Sequence, residues 1–148
     1  MIFSSLALRE LQKISERVVV MRSCLAMLRH VADQLDDNEH ARLGPIKVEG
    51  IAEPEGFELL WAGKRLRFGF TVGFEGTALP VSRLVVTEIA QTTAECKELL
   101  NEPVSGDGMI DSWKMPDVGW GATLTTQVEA YTFLLNFLLL AFARKSVA

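Results

Sequence analysis

Both histidines of the chain and four of its carboxylates fall within one short stretch, HVADQLDDNEH, His30 to His40. His30, Asp33, Asp37 and His40 step by three, four and three residues, which on a helix stacks them in one stripe. Two imidazoles and two carboxylates on successive turns have the chemistry of a divalent-cation site or of an acid–base pair. A working metal site needs enclosure, however, and ligands drawn from one helix leave half the coordination sphere to water. The outcome depends on which way the helix faces.

From Ser5 to Leu43 there is neither proline nor glycine. Leu11, Ile14, Val18, Met21, Leu25, Leu28, Ala32 and Leu35 recur at steps of three and four. These are eight successive a and d positions, four heptads, enough for coiled-coil pairing to be weighed. The spacing predicts a helix over 5–43, closed by Gly44 as its left-handed cap and by Pro45. With Leu11 at position a, the two histidines and two aspartates fall at f and b, opposite the apolar seam. The stretch therefore reads as a solvated acidic face, with no metal, no cofactor and no catalytic residue assigned.

Charge along the same helix is segregated. Arg9, Lys13, Arg17, Arg22 and Arg29 dominate the first part, and Asp33, Asp36, Asp37 and Glu39 the end. That order opposes the helix dipole, and two antiparallel copies would set each acidic end against a basic one. Homodimerisation along Leu11, Ile14, Val18, Met21, Leu25, Leu28 and Leu35 is one expectation. The other is that the seam lies on the chain's own sheet.

Beyond Pro45 the period changes from helical to two-residue, and the segment 46–91 is expected to form the sheet. In Arg65–Phe74, Leu66, Phe68, Phe70, Val72 and Phe74 share one face, the pattern of an antiparallel sheet with one wet side. Ala62-Gly63-Lys64 suits a hairpin turn, and Pro80–Ala90 is rich in β-branched residues. Thr92-x-x-Glu95 has the form of a capping box and predicts a short helix over 93–101, ending before Pro103. A Gly/Trp-rich loop is expected over 104–122, and a helix over 125–145 that is apolar nearly all round in its second half. The expected fold is α+β in a single domain, 1–148. It has a long N-terminal helix, a curved antiparallel sheet of four or five strands, a short helix, and a long apolar C-terminal helix on the sheet.

Three further groups carry candidate chemistry. Trp113, Trp120, Met109 and Met115 in the 104–122 loop form a candidate contact surface. Lys64, Arg65, Arg67 and Arg83 form a candidate basic patch on the outer sheet face, weighed against charges that merely guard strand edges. Glu49, Glu53, Glu55 and Glu58 gather around Pro54 in what reads as a solvated turn. Gly69, Gly73 and Gly76 have neither phosphate-loop nor dinucleotide spacing and suggest sheet curvature instead.

The 148 residues are 49% hydrophobic and 23% charged, the composition of a globular domain, and the net charge of −4 argues against nucleic acid. Cys24 and Cys96 lack metal-site spacing and read as free thiols in a reducing compartment. Tyr131–Ala143 is apolar but far short of the ~20 residues that span a bilayer. No secretory signal is expected in the opening residues. The expected function is a non-enzymatic, cytoplasmic, homodimeric interaction protein, adaptor- or chaperone-like, with the N-terminal or the Leu-rich C-terminal helix as its interface and a possible protein partner. The alternative is a small-molecule binding protein or enzyme with an apolar pocket between the sheet and the C-terminal helix.

Overall fold

The first helix, α1, runs without a break over Ile2–Asp37, 36 residues, roughly 54 Å at 1.5 Å per residue. In this computed structural model residues 2–37, 43, 45–52, 55–76, 79–90, 93, 95–111 and 121–143 are described. The expected continuation of the helix through 38–42 and the cap at Gly44 lie outside them.

Five strands follow: β1 (Lys47–Ile51), β2 (Gly56–Trp61), β3 (Lys64–Gly73), β4 (Val81–Ile89) and β5 (Cys96–Val104). Each pairs antiparallel with the next, so the sheet is a simple meander with β1 and β5 at its edges. It is open, and neither closed nor strongly curled, which moderates the expected curvature. The register sets Leu59 against Leu66, Phe57 against Phe68, Phe68 against Val86 and Val86 against Leu100. Because side chains alternate across a strand, these residues line one face, and all are 5% exposed or less.

Two local features fix this register. The β2–β3 connection is the two-residue turn Ala62-Gly63, with φ of 49° and 80°; positive φ at both positions matches the right-handed strand twist. At Gly56 the backbone of β3 comes so close that a Cβ would run into the carbonyl of Phe68. Any larger residue there would push the first two long strands apart.

The helix expected over 93–101 is instead strand β5. Its local sequence favours helix, but Val81–Ile89 is a β-branched strand needing a hydrogen-bonded neighbour on each side, and pairing with it wins. Pro103 is tolerated because β5 is an edge strand, where a missing N–H breaks no ladder. A register shift lies between Val86 and Thr87. The loop expected over 104–122 is also partly ordered. Ser105 to Gly108 form a tight turn, with Gly108 at φ 80°. It leads into β6 (Met109–Ile110), which pairs with β7 (Ala122–Thr123).

The last helix, α2, spans Gln127–Ala143. The Thr126 hydroxyl donates to the Glu129 carboxylate at 2.9 Å, and the Thr123 amide donates to the same group at 3.3 Å. A Thr-x-x-Glu pattern thus opens this helix, with the carboxylate held by the Thr126 hydroxyl and the Thr123 amide in place of the Thr126 amide of a capping box. Ala130, Phe133, Leu134, Phe137, Leu138 and Ala141 are buried, while Leu139 is 66% exposed. Phe137 meets Phe68 edge-on at 5.8 Å, and Phe142 meets Trp61 at 4.9 Å. The Trp61 indole N–H donates to the Leu43 carbonyl at 2.7 Å, tying the chain after α1 to the sheet.

Candidate functional site

The seam of α1 divides in two. Met21, Leu25, Leu28, Ala32 and Leu35 are 5% exposed or less and belong to the core formed with the sheet and α2. For these five positions it is the chain's own sheet and second helix that cover the seam. From Ser5 to Val20 no residue is buried. Leu11 is 62% exposed, Leu8 58% and Val19 57%, while Ile14 and Val18 are half-buried.

The boundary is marked by Arg17. Its guanidinium donates to the Val104 carbonyl at 3.2 Å and to the hydroxyl of fully buried Ser82 at 3.3 Å, and that hydroxyl donates to the same carbonyl at 2.7 Å. The segment from Ser5 through Val19 extends as an arm whose exposed large hydrophobics, Leu6 excepted, gather on one side. At 100° per residue Leu8, Leu11, Ser15, Val18 and Val19 fall within about a third of the helix circumference. Glu10 and Lys13 pair on another side at 3.1 Å.

At the root of the arm lies an open cleft of ≈450 Å³, lined among others by Arg17, Leu79, Pro80, Val104 and Met109. Leu79 is 61% and Met109 38% exposed, so this rim adds to the apolar surface of the arm. Met109 is the one member of the Trp/Met group that can be placed, because Trp113, Met115 and Trp120 lie outside the described residues.

The basic patch is not assembled as expected. Arg67 donates twice to one oxygen of Glu58, at 2.9 and 3.0 Å, and Arg65 lies 3.7 Å from the other. Arg83 makes two bonds to Glu75. Lys64 is not on the outer face at all. Only 10% of its side chain is exposed, its ammonium donates to Glu88 at 3.1 Å and to the Ala141 carbonyl at 3.3 Å, and it sits 4.8 Å from the Phe142 ring centre. It places a positive charge at the carbonyl end of α2, where the helix dipole favours one. The turn carboxylates are likewise separately paired, Glu55 with Arg22 and Glu49 with Lys47, and Glu58, expected in solvent, is buried beneath its two arginines.

His30 and Asp33 are exposed, in keeping with a solvated face; the side chains of Asp37 and His40 lie outside the described residues. Among the described residues no group of three His, Cys, Asp or Glu side chains is placed to hold a metal ion. Cys24 is buried, and its thiol is pushed up to about 11 by that burial, against a smaller opposing backbone hydrogen bond. It is therefore protonated and unreactive at neutral pH. Cys96 is exposed. Where the sequence allowed an apolar pocket between sheet and α2, Phe68 stacks on Phe57 at 4.7 Å and meets Phe137, and both Phe68 and Phe133 are fully buried. Among the described residues no helix is long and apolar enough to cross a membrane.

No protein-family model matches the chain, and neither the curated proteins nor the solved structures contain a significant match to it.

Proposed function

We propose that this chain is a non-enzymatic interaction protein that works as a homodimer, with the first half of α1 as its contact surface. The observation that carries the reading is the exposure of Leu8, Leu11 and Val19 on one side of a helix that continues straight into the core. Contiguous exposed apolar surface of this kind marks association sites, whereas isolated surface leucines do not. Two free thiols fit a reducing, cytoplasmic setting. The net charge of −4 and the pairing of Arg65, Arg67 and Arg83 with carboxylates favour a protein partner over nucleic acid. A further protein partner would dock at the β5 edge or at the Leu79–Met109 rim. Sedimentation equilibrium of the full chain tests the reading. A dimer is expected at tens of micromolar, and a monomer throughout that range overturns it.

A further inference from the structure

Two α1 helices can lie side by side in two senses only. From Met21 onward each helix is sunk into its own sheet and α2. A parallel pair would place both folded bodies at the same end, where their bulk holds the axes further apart than the 8–10 Å of packed helices. An antiparallel pair sends the bodies to opposite ends and lets the arms touch along their whole length.

Charge and shape point the same way. An antiparallel pair with its two-fold axis between Gln12 and Lys13 sets Leu11 against the partner's Ile14 and Ala7 against the partner's Val18. Large residues then face small or branched ones, with Leu8 beside the partner's Ser15. The same register sets Glu10 beside the partner's Arg17, both at g along one edge of the seam, and the opposed helix dipoles no longer reinforce each other. Contact over 5–20 runs roughly 24 Å, near the low end of specific interfaces at about 1,000 Å², so micromolar association is expected.

We propose that two copies of this chain join through antiparallel pairing of the α1 arms, centred between Gln12 and Lys13; this rests on the dimer reading above and specifies its geometry. The test uses the full chain with Cys96→Ser. Ala7→Cys and Val18→Cys are made singly and together, oxidised under mild conditions, and run without reductant. These positions are eleven residues apart on one rigid helix, so no disulfide can close within a chain.

The expected result is an efficient covalent dimer from the double variant and little from either single one. Covalent dimers from each single variant signify a parallel pair and overturn the proposal while the dimer reading stands. A dimer in the centrifuge with no crosslink in any variant places the contact elsewhere and also overturns it. A monomer in the centrifuge removes the dimer reading itself. Leu11→Asp, which sets a carboxylate at the centre of the pair, should raise the dissociation constant about 30-fold or more, and an unchanged constant counts against this surface.

Discussion

The two halves of α1 carry the same heptad spacing and meet opposite environments. Positions 21, 25, 28, 32 and 35 are core; position 11 is exposed, and positions 14 and 18 are only half-buried. The cause is a mismatch of lengths. Five strands spaced ~4.8 Å apart make a sheet only ~19 Å from edge to edge, and a helix of roughly 54 Å outruns it in any orientation. Arg17 marks where cover from the sheet stops, since it is bonded to Ser82 and Val104 at the ends of β4 and β5. A heptad pattern thus reports where an apolar stripe lies, and the dimensions of the rest of the fold decide what covers it.

The sharpest way to break this comparison is to make one truncation in each half. Leu28 is fully buried and Leu11 is 62% exposed. Leu28→Ala should cost ~2–5 kcal/mol of unfolding free energy, through lost burial and the cavity left behind. Leu11→Ala should change the stability of the monomer by less than ~0.5 kcal/mol and weaken association instead. Urea denaturation at submicromolar protein separates the two. Equal costs at both positions would mean that the arm is covered within its own chain.

The sequence made some of this legible and hid the rest for physical reasons. Strong periodicity found α1, and two-residue alternation found Leu66 and Phe68 as inward residues of β3; Phe74, at the end of that alternation, falls past the strand and is 42% exposed. Strand β5 was hidden because Glu95, Lys97, Glu98 and Leu99 favour helix locally, and only the unsatisfied edge of β4 makes them extend. A signal was present in Leu100, Glu102 and Val104, which alternate on the inner side of β5. Lys64 was hidden because its role depends on where α2 ends, which no local spacing encodes. The Thr-x-x-Glu pattern occurs at both Thr92 and Thr126, and only the second has an apolar helical run behind it. As for the candidate surface, Leu11, Ile14 and Val18 were legible as a seam, but the division at Arg17 needed the width of the sheet.

The buried half of α1 also contains a titrating group. Burial raises the Cys24 thiol from 9.0 to about 11. The unfolded thiol loses its proton first, so this stabilisation is complete below pH 9 and is lost as pH rises from 9 through 11. The loss is of order ~2 kcal/mol. The wild type should therefore lose more stability than Cys24→Ala between pH 8 and pH 10.5 in urea titrations, and parallel curves would refute the assignment. In the native state, iodoacetamide should modify exposed Cys96 long before Cys24.

The junction between the halves is weaker. Arg17→Met keeps the apolar stem and removes both donors, leaving Ser82 still bonded to the Val104 carbonyl at 2.7 Å. The expected cost is ~1 kcal/mol, read by denaturation. Amide exchange should rise in the arm while the core half of α1 keeps its protection. Unaltered exchange before Arg17 would mean that this contact does not anchor the arm.

The smallest effect lies on the body alone and serves as a control on the arm. The hydrogen bonds from Arg83 hold the Glu75 carboxyl below its ordinary value, helped by the arginine's charge and opposed by slight desolvation. A lowered folded value means that the contribution is present above the ordinary 4.5 and is lost as pH falls through the lower value. Both groups lie at the surface, so the effect is slight and screened by salt. Glu75→Gln should flatten the acid limb of body unfolding at low ionic strength, and the difference should vanish in 0.5 M salt, on the order of a 4 Å Debye length. Dimer dissociation should be the same for variant and wild type across that pH range, because Glu75 is no part of the arm. If Glu75→Gln shifts association as well, the body and the arm share one interface, and the division of α1 into a core half and a contact half fails.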